Sequence, residues 1–301
     1  MTKQETLERI ARLKGERRAV LLAHNYQVAE VQDAADFVGD SLELSQKAAA
    51  TDAEVIVFCG VHFMAETAAI LSPRKTILLP EPHAGCPMAD MITADELREW
   101  KARYPGRKVV CYVNTSAEVK AEADVCCTSA NVIRVVNSIP DEEILCVPDK
   151  NLAAFAARRT GKKIIAWDGY CYVHNNILAA DIRESRKQHP GAEVWAHPEC
   201  RPEVIDIADK ALSTGQMIRE AQATASRTIV LATEPGIIHR LKKENPGKDF
   251  FAAKETMVCV NMKKTTLAKV LLALENNQHR VTVAPDIAQR ARGAIEKMIT
   301  L

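Results

Sequence analysis

The chain has 301 residues, and 40 Lys and Arg stand against 39 Asp and Glu, which leaves a formal net charge of +1 at pH 7. Such a balance argues against a basic face for nucleic acid or for an anionic membrane surface. Hydrophobic residues at 47% and charged residues at 26% are typical of a folded globular protein and exclude disorder, collagen and coiled coil as the main state.

The chain offers no apolar run near the roughly 18 residues of a membrane span, and its first residues are polar rather than signal-like. We therefore expect a cytoplasmic protein with no nucleic-acid or membrane partner. Nine cysteines without a secretion signal do not indicate a disulfide framework. Five of them lie in apolar runs and are expected to pack in the core. These five are Cys59, Cys111, Cys126, Cys127 and Cys146.

Nine short, apolar and largely β-branched segments alternate with helical patterns along the chain. They cover residues 19–23, 55–59, 76–79, 108–113, 144–147, 163–167, 193–196, 228–232 and 249–252. Short buried strands that alternate with helices are typical of parallel sheets with helices on both faces. The pattern therefore predicts an α/β fold.

The three thirds of the chain share a common spacing of polar residues. The first strand of each third is followed closely by an Ala-Asp pair, then by a hydroxyl-bearing residue, and much later by a lone cysteine. The residues at the strand ends are His24, Tyr112 and His197; the pairs end at Asp36, Asp124 and Asp209; the hydroxyls belong to Ser41, Ser129 and Thr214; the cysteines are Cys86, Cys171 and Cys259. Repeat units of this length indicate small α/β domains rather than a solenoid.

We therefore predict three homologous α/β/α domains with short parallel sheets around a pseudo-threefold axis. Their predicted bounds are residues 1–88, 89–175 and 176–279, and the tail 280–301 is expected to pack on the first. Ligands of open parallel sheets bind beyond the carboxyl ends of the strands. The strand ends, hydroxyls and cysteines of the three domains are thus expected to converge on one central site.

Three cysteines on three separate loops are unlike a structural zinc site, which takes four ligands and often uses local Cys-x₂-Cys pairs. Three thiolates are able to hold a [4Fe–4S] cluster in which one iron lacks a protein ligand and acts as a Lewis acid. A zinc ion on three cysteines with a bound water is the alternative. The spacing does not separate the two.

The remaining residues at the strand ends suggest anion binding and proton transfer. Ser41, Ser129 and the pair Ser213 and Thr214 precede helical patterns, where hydroxyls cap exposed N–H groups and where phosphate and carboxylate bind. A small, multiply anionic substrate fits such a site. Glu199, beside His197, is a candidate for moving protons, and Cys200 adjoins the site but breaks the repeat, so it is left out of the ligands.

Longer motifs around these residues resemble quinolinate synthase. They are AHNYQ (23–27), GDS (39–41), FMAE (63–66), CPMA (86–89), YVN (112–114), CTSAN (127–131), HPEC (197–200), STGQM (213–217) and CVNMK (259–263). The resemblance runs from about residue 20 to residue 265. It implies three α/β/α domains around a pseudo-threefold axis and a [4Fe–4S] cluster on Cys86, Cys171 and Cys259.

The same resemblance implies an activity and a set of site residues. The reaction would condense iminosuccinate (iminoaspartate) with dihydroxyacetone phosphate to quinolinate, phosphate and water in de novo NAD synthesis. An L-aspartate oxidase or dehydrogenase would supply the imine, and the enzyme would be a monomer or a homodimer. Glu199, with Tyr26 or His197, would move protons. The implied substrate contacts are His24, Ser41, Met64, Tyr112, Val113, Asn114, Ser129, His174, His197, Pro198, Glu199, Ser213 and Thr214.

Two other interpretations of the residues remain open. A different Fe–S hydro-lyase acting on a small hydroxy acid would need no phosphate site. A non-catalytic Fe–S electron carrier or redox sensor would usually complete the coordination with a fourth protein ligand, and it would not need the acid–base residues or the anion-binding helix starts.

Overall fold

The computed structural model describes residues 2–301; residue 1, which opens the first predicted domain, lies outside the described residues. The first unit consists of α1 (Lys3–Glu16), β1 (Ala19–His24), α2 (Ala29–Ala34), β2 (Phe37–Gly39), α3 (Ser41–Ala50), β3 (Val55–Cys59), α4 (His62–Leu71) and β4 (Thr76–Leu78). The second consists of α5 (Ala94–Arg103), β5 (Val109–Tyr112), α6 (Ala117–Ala121), β6 (Val125–Cys127), α7 (Val132–Ser138), β7 (Glu143–Val147), α8 (Lys150–Thr160), β8 (Lys163–Ala166) and the short α9 (Tyr172–Asn175). The third consists of α10 (Ala179–Gln188), β9 (Glu193–Ala196), α11 (Pro202–Ile205), β10 (Lys210–Ala211), α12 (Thr214–Ala223), β11 (Thr228–Ala232), α13 (Ile237–Glu244) and β12 (Asp249–Ala252), and α14 (Leu267–Asn276) and α15 (Pro285–Thr300) follow it.

Each unit forms one four-stranded parallel sheet with the same strand order. The orders are β2-β1-β3-β4, β6-β5-β7-β8 and β10-β9-β11-β12. The inner strands β3 and β7 are rich in Val, Ile and Leu and are buried along almost their whole length, as expected for sheets covered on both faces. The predicted α/β fold with three parallel sheets is therefore confirmed.

All nine predicted strands are present, and their ends differ from the prediction by at most one residue. The structure adds one edge strand to each sheet: β2, β6 and β10. These strands are only two or three residues long, so they carry too little apolar pattern to be recognised. With these edge strands counted, the predicted cysteine of each unit follows the fourth strand.

The repeated Ala-Asp pair holds the edge strand of each sheet against the first strand. Asp36 Oδ2 accepts a hydrogen bond from the N–H of Leu21 at 2.8 Å. Asp124 Oδ2 and Asp209 Oδ2 make the same bond to Val109 and Val194, at 2.8 Å and 2.7 Å. In each sheet the Asp side chain thus accepts a hydrogen bond from an N–H of the first strand that needs a partner. This shared role explains why the Ala-Asp pair recurs at the same distance from the first strand.

The last two helices pack outside the third unit. α14, which the predicted bounds place in that unit, packs on α1, α2 and β3 of the first. The tail helix α15, expected on the first unit, packs on α3 and α4 there but also on α6 and β6 of the second. The bounds of the three domains themselves stay predictions. In the part of the chain that the structure describes, no helix has both the length and the apolar composition to cross a bilayer.

Candidate active site

The carboxyl ends of the strands in all three units face one shared cavity. Most residues predicted for the site line it. They are His24, Tyr26, Ser41, Met64, Cys86, Tyr112, Asn114, Ser129, Cys171, His174, His197, Glu199, Thr214 and Cys259. The expected convergence of strand ends, hydroxyls and cysteines is thus present in the geometry. Three predicted substrate contacts, Val113, Pro198 and Ser213, are buried beside the cavity but are not among its lining residues.

The capping residues at two helix starts agree with the prediction only in the third unit, where Ser213 of the predicted pair caps α12; in the first unit Asp40 caps in place of Ser41. Asp40 caps α3 by accepting hydrogen bonds from the N–H groups of Leu42 and Glu43, both at 3.0 Å. Ser213 caps α12 through the N–H of Gln216 at 3.3 Å. Ser41 and Thr214 are therefore the first residues of their helices. Both residues line the cavity, and the hydroxyl of Thr214 accepts a hydrogen bond from Nδ2 of Asn25 at 3.0 Å.

The second unit shows a related arrangement without a capped helix at this point. Thr128 Oγ1 accepts a hydrogen bond from the N–H of Ala130 at 3.2 Å, and α7 begins only at Val132. Ser129 Oγ lies 3.1 Å from Nε2 of His197. This contact joins the second unit to the third at the wall of the cavity.

Glu199 is the centre of a buried hydrogen-bond network. The phenol of Tyr112 donates to Oε1 of Glu199, and Nδ1 of His174 lies 2.6 Å from Oε2. Burial alone would raise the pKa of Glu199, but the interaction with His174 and the hydrogen bonds from His174 and Tyr112 outweigh burial and lower it below its usual value. Glu199 is therefore ionised although it is only 3% exposed and lies in the wall of the cavity.

The network continues from His174 to the first unit. His174 Nε2 lies 2.9 Å from Oγ1 of Thr233, and Thr233 Oγ1 lies 2.5 Å from the hydroxyl of Tyr26. Burial raises the pKa of Tyr26 and of Tyr112 well above the usual value of a phenol. Both phenols hold their protons at neutral pH, and an unbroken chain of polar groups joins them through Glu199.

Two further imidazoles and an amide complete the polar wall. Burial, with Lys263 as the next cause, lowers the pKa of His24 to about 3. Burial, with His174 as the next cause, lowers the pKa of His197 to about 3. Both rings are neutral at physiological pH and can donate or accept one hydrogen bond per nitrogen. Within the described residues, Oδ1 of Asn114 is buried without a hydrogen-bond partner, so this amide is available to a ligand.

The three predicted cysteine ligands share one local design. Cys86 and Cys259 each come three residues before a single 3₁₀ turn, Ala89–Met91 and Met262–Lys264, and Cys171 directly precedes α9. Burial raises the pKa of Cys86 to about 12 and also raises the pKa of Cys171 and Cys259, while N–H groups of Ala89, His174 and Met262 in the following turns oppose the rise. These N–H groups stabilise a thiolate, so the three sulfurs suit a metal centre that displaces their protons.

Cys171 also belongs to a second group of donors. Its sulfur, a nitrogen of His174 and an oxygen of Glu199 lie within 4.8 Å of one another. The cysteine centre and the acid–base network therefore touch at Cys171. Cys200, left out of the predicted ligands, is buried and is not among the lining residues, and its sulfur donates to the carbonyl oxygen of Ala232 at 3.3 Å.

Comparison with known proteins gives a decisive match at this point. The family model described as "Quinolinate synthetase A protein" (NadA) matches residues 8–300. The chain belongs to the quinolinate synthetase A family. A quinolinate synthase of Dehalococcoides mccartyi is 60% identical to it over 291 residues, which cover 97% of this chain and 96% of the relative.

More distant relatives in the quinolinate synthetase A family match over the same length. The quinolinate synthase of Methanoregula boonei is 57% identical over 294 residues, which cover 98% of this chain and 97% of the relative. That of Methanosarcina barkeri is 51% identical over 301 residues, which cover 100% and 99%. Because these relatives are named for an enzymatic activity, the chain is an enzyme of this family.

Sequence reasoning missed several lining residues of this quinolinate synthetase A chain. Glu234, two residues after the end of β11, lines the cavity, and Thr233 beside it contacts the lining residues His174 and Tyr26. The rule that ligands bind at carboxyl ends of strands would have found both. Asp40 was named only within the GDS motif. The apolar lining residues carry no chemical signal that separates them from the core. They are Val61, Phe63, Met88, Val173 and Met262.

Proposed function

We propose that the chain condenses iminosuccinate with dihydroxyacetone phosphate to quinolinate, phosphate and water, a step of de novo NAD synthesis. Membership of the quinolinate synthetase A family supports the proposal. The observation that carries it is a single cavity lined from all three units. Three cysteines, three hydroxyls and a hydrogen-bonded chain of acid–base groups line it together.

The substrates would be held by the anion-binding part of the cavity. Iminosuccinate carries carboxylates and dihydroxyacetone phosphate carries a phosphate, so the pair is multiply anionic. Ser41 and Thr214 stand at the starts of α3 and α12, where the helix dipole and the first-turn N–H groups that Asp40 and Ser213 do not cap favour an anion. The hydroxyl of Ser129 offers a further donor to the same ligands, and the amide of Asn114 also lines the cavity, with its oxygen Oδ1 free to accept a hydrogen bond.

The cofactor we propose is a [4Fe–4S] cluster held by Cys86, Cys171 and Cys259. The chemistry of the donor set supports it, since three sulfurs reach one cavity and each meets an N–H group of the turn that follows it. When bound, the cluster supplies a Lewis-acidic iron without a protein ligand, suited to the loss of a hydroxyl group. A zinc ion on the same thiolates is the alternative that metal and sulfide analysis decides.

Glu199 and the groups hydrogen-bonded to it would carry out the proton transfers. Condensation, ring closure and loss of water each require a proton to leave one atom and reach another. The ionised Glu199, held in place by Tyr112 and His174, accepts a proton from the substrate. Tyr26, joined to the same carboxylate through Thr233 and His174, and the neutral His197 can donate one to a departing oxygen. The buried walls exclude water from the reactive imine and enediol.

Product analysis tests the proposal directly. Protein purified without oxygen is given dihydroxyacetone phosphate and iminosuccinate formed in situ from oxaloacetate and ammonia, and quinolinate is measured by chromatography. We expect quinolinate and phosphate in equal amounts. Dihydroxyacetone is the matched control substrate, because it lacks the anion and the leaving group, and it should give no quinolinate. Dehydration of a small hydroxy acid that needs no phosphate would instead indicate a different Fe–S hydro-lyase.

The supply of the imine is also part of the proposal. Iminosuccinate hydrolyses in water, so an L-aspartate oxidase or an L-aspartate dehydrogenase would have to produce it close to this enzyme. The cytoplasmic location and the monomeric or homodimeric state expected from the sequence stay predictions.

A further inference from the structure

Two buried carboxylates occupy the same position in two of the three units. Asp149 lies two residues after the end of β7, and Glu234 lies two residues after the end of β11. Both residues are 0% exposed. The corresponding residue of the first unit, two residues after β3, is Val61. The repeat therefore carries a carboxylate at this place in the second and third units and an apolar side chain in the first.

Each carboxylate accepts a hydrogen bond from the backbone of the cysteine in its own unit. The N–H of Cys171 donates to Oδ2 of Asp149 at 3.0 Å. The N–H of Cys259 donates to Oε1 of Glu234 at 3.2 Å. A fixed N–H sets the direction in which the cysteine side chain leaves the backbone, and in both units that direction leads into the cavity.

Asp149 ties the Cys171 loop to the end of β7. Its other oxygen, Oδ1, caps α8 by accepting a hydrogen bond from the N–H of Leu152 at 2.7 Å. The backbone of Asp149 forms a parallel bridge with Gly169, and the N–H of Lys150 donates to the carbonyl oxygen of Gly169 at 2.9 Å. The loop that leads into Cys171 is thus held by both the backbone and the side chain.

Glu234 ties the Cys259 turn to the end of β11. Its Oε2 accepts a hydrogen bond from the N–H of Gly236 at 2.7 Å, and its Oε1 lies 2.8 Å from Nζ of Lys263. Lys263 is on the 3₁₀ turn after Cys259, and it also donates to the carbonyl oxygen of Tyr26. A Cβ at Gly236 would lie 2.9 Å from that same oxygen, so the junction has no spare room.

The other contacts of these side chains do not by themselves require a carboxylate. A hydroxyl would cap α8 as Asp149 does, and replacing a buried ion pair such as Glu234–Lys263 by apolar side chains of similar volume often leaves a protein as stable or more stable. The first unit shows that an apolar residue is accommodated at this position. What an apolar residue does not provide is an acceptor for the N–H of the cysteine.

We propose that Asp149 and Glu234 are positioning residues that hold Cys171 and Cys259 in the direction the metal centre requires. The inference rests on the proposed cluster on these cysteines. Under this proposal the three cysteines are not held in the same way, because Cys86 has no carboxylate partner at the corresponding position.

Two variants distinguish the orientation of Cys171 and Cys259 from the other contacts of these carboxylates, the cap of α8 and the ion pair with Lys263. In Asp149→Ser the hydroxyl can still cap α8, but the second oxygen, which accepts the N–H of Cys171, is removed. In Glu234→Met the chain length is kept and every acceptor is lost, while Lys263, whose side chain is 25% exposed, can turn to water. The control is Glu122→Met, which removes a carboxylate paired with Arg98 and Arg290 outside the cavity lining.

The first measurement is the rate at which a ferrous chelator removes iron from the anaerobic holoenzyme. Loss of a group that orients a metal ligand typically weakens metal binding tenfold to a hundredfold. We expect Asp149→Ser and Glu234→Met to lose iron about ten to a hundred times faster than the wild type, and Glu122→Met to lose it at about the wild-type rate. Iron loss at the wild-type rate in both variants would overturn the inference.

The second measurement is alkylation of the metal-free full-length chain by iodoacetamide, followed residue by residue by mass spectrometry. We expect Asp149→Ser to accelerate labelling of Cys171 alone and Glu234→Met to accelerate labelling of Cys259 alone. Equal acceleration at all three cysteines would mean general loosening and would overturn the inference. A wild type that binds no cluster would refute the proposed cofactor, and the labelling pattern would still decide this inference.

Discussion

Tyr112 donates the hydrogen of its phenol to one oxygen of Glu199, and the two residues belong to different units of the chain. His174 contacts the other oxygen of the same carboxylate at 2.6 Å. A carboxylate held on both oxygens keeps its place as substrate enters and leaves. The acid–base chemistry we propose therefore depends on this one side chain.

Replacing Glu199 by Gln should keep the shape of the site and remove its charged acceptor. We expect turnover to fall by about a hundredfold to ten-thousandfold, the usual contribution of a positioned acid or base, with iron content unchanged. Glu203→Gln is the matched control, since Glu203 is exposed on α11 and should leave turnover unaffected. Wild-type turnover in Glu199→Gln would end the acid–base role of this residue.

Cysteines in the cavity and cysteines in the core should respond differently to truncation. Cys86→Ala, Cys171→Ala and Cys259→Ala should each lose the cluster and the activity. Cys146→Ala, in the buried strand β7, should keep the iron and lose about 1 kcal/mol of unfolding free energy through poorer packing. Iron analysis tests the loss of the cluster, and urea unfolding tests the loss of stability. A fully active Cys86→Ala would remove that residue from the ligand set.

Thr233 provides the hydroxyl between His174 and Tyr26. Thr233→Val keeps the shape of the side chain but removes the oxygen that lies 2.9 Å from His174 and 2.5 Å from Tyr26. We expect kcat to fall by about tenfold or more with little change in KM, because proton delivery rather than binding is impaired. Thr233→Ser retains the hydroxyl and should recover most of kcat. If Thr233→Val and Thr233→Ser had the same kcat, the hydroxyl would not matter, and Thr233 would be excluded from proton transfer.

The repeated Asp of the edge strands should matter for stability and not for the site. Asp124→Ala leaves the N–H of Val109 without its acceptor, which should cost about 1–3 kcal/mol of unfolding free energy. Asp124→Asn keeps one acceptor oxygen and should recover part of the loss. Denaturant unfolding measures both variants. If Asp124→Ala were as stable as the wild type, the explanation of the repeat would be wrong.

Much of this fold could be predicted because its inner strands are short, apolar and regularly spaced. The edge strands β2, β6 and β10 were missed, since two or three residues carry no periodicity. The position of α14 was also missed. Its residues follow the third unit along the chain but pack on the first, and an amphipathic pattern does not specify which sheet a helix will cover.

The site was predictable to the extent that its residues follow strands. His24, Tyr112 and His197 were found because carboxyl strand ends meet at a common edge. Thr233 and Glu234 also follow the end of a strand, but that strand, β11, is not the first strand of its unit, and only the ends of the first strands were compared. Ser213, one of the predicted pair, caps α12, but the capping of α3 by Asp40 in place of Ser41 could not be predicted, because neighbouring polar residues are equally able to cap.

The most direct test of the proposed function is the iron, acid-labile sulfide and zinc content of protein purified without oxygen. The proposal predicts about four iron and four sulfide per chain, the composition of a [4Fe–4S] centre, lost together in Cys171→Ala. About one zinc per chain without sulfide would contradict the cluster, and with it the dehydration chemistry proposed for the cavity.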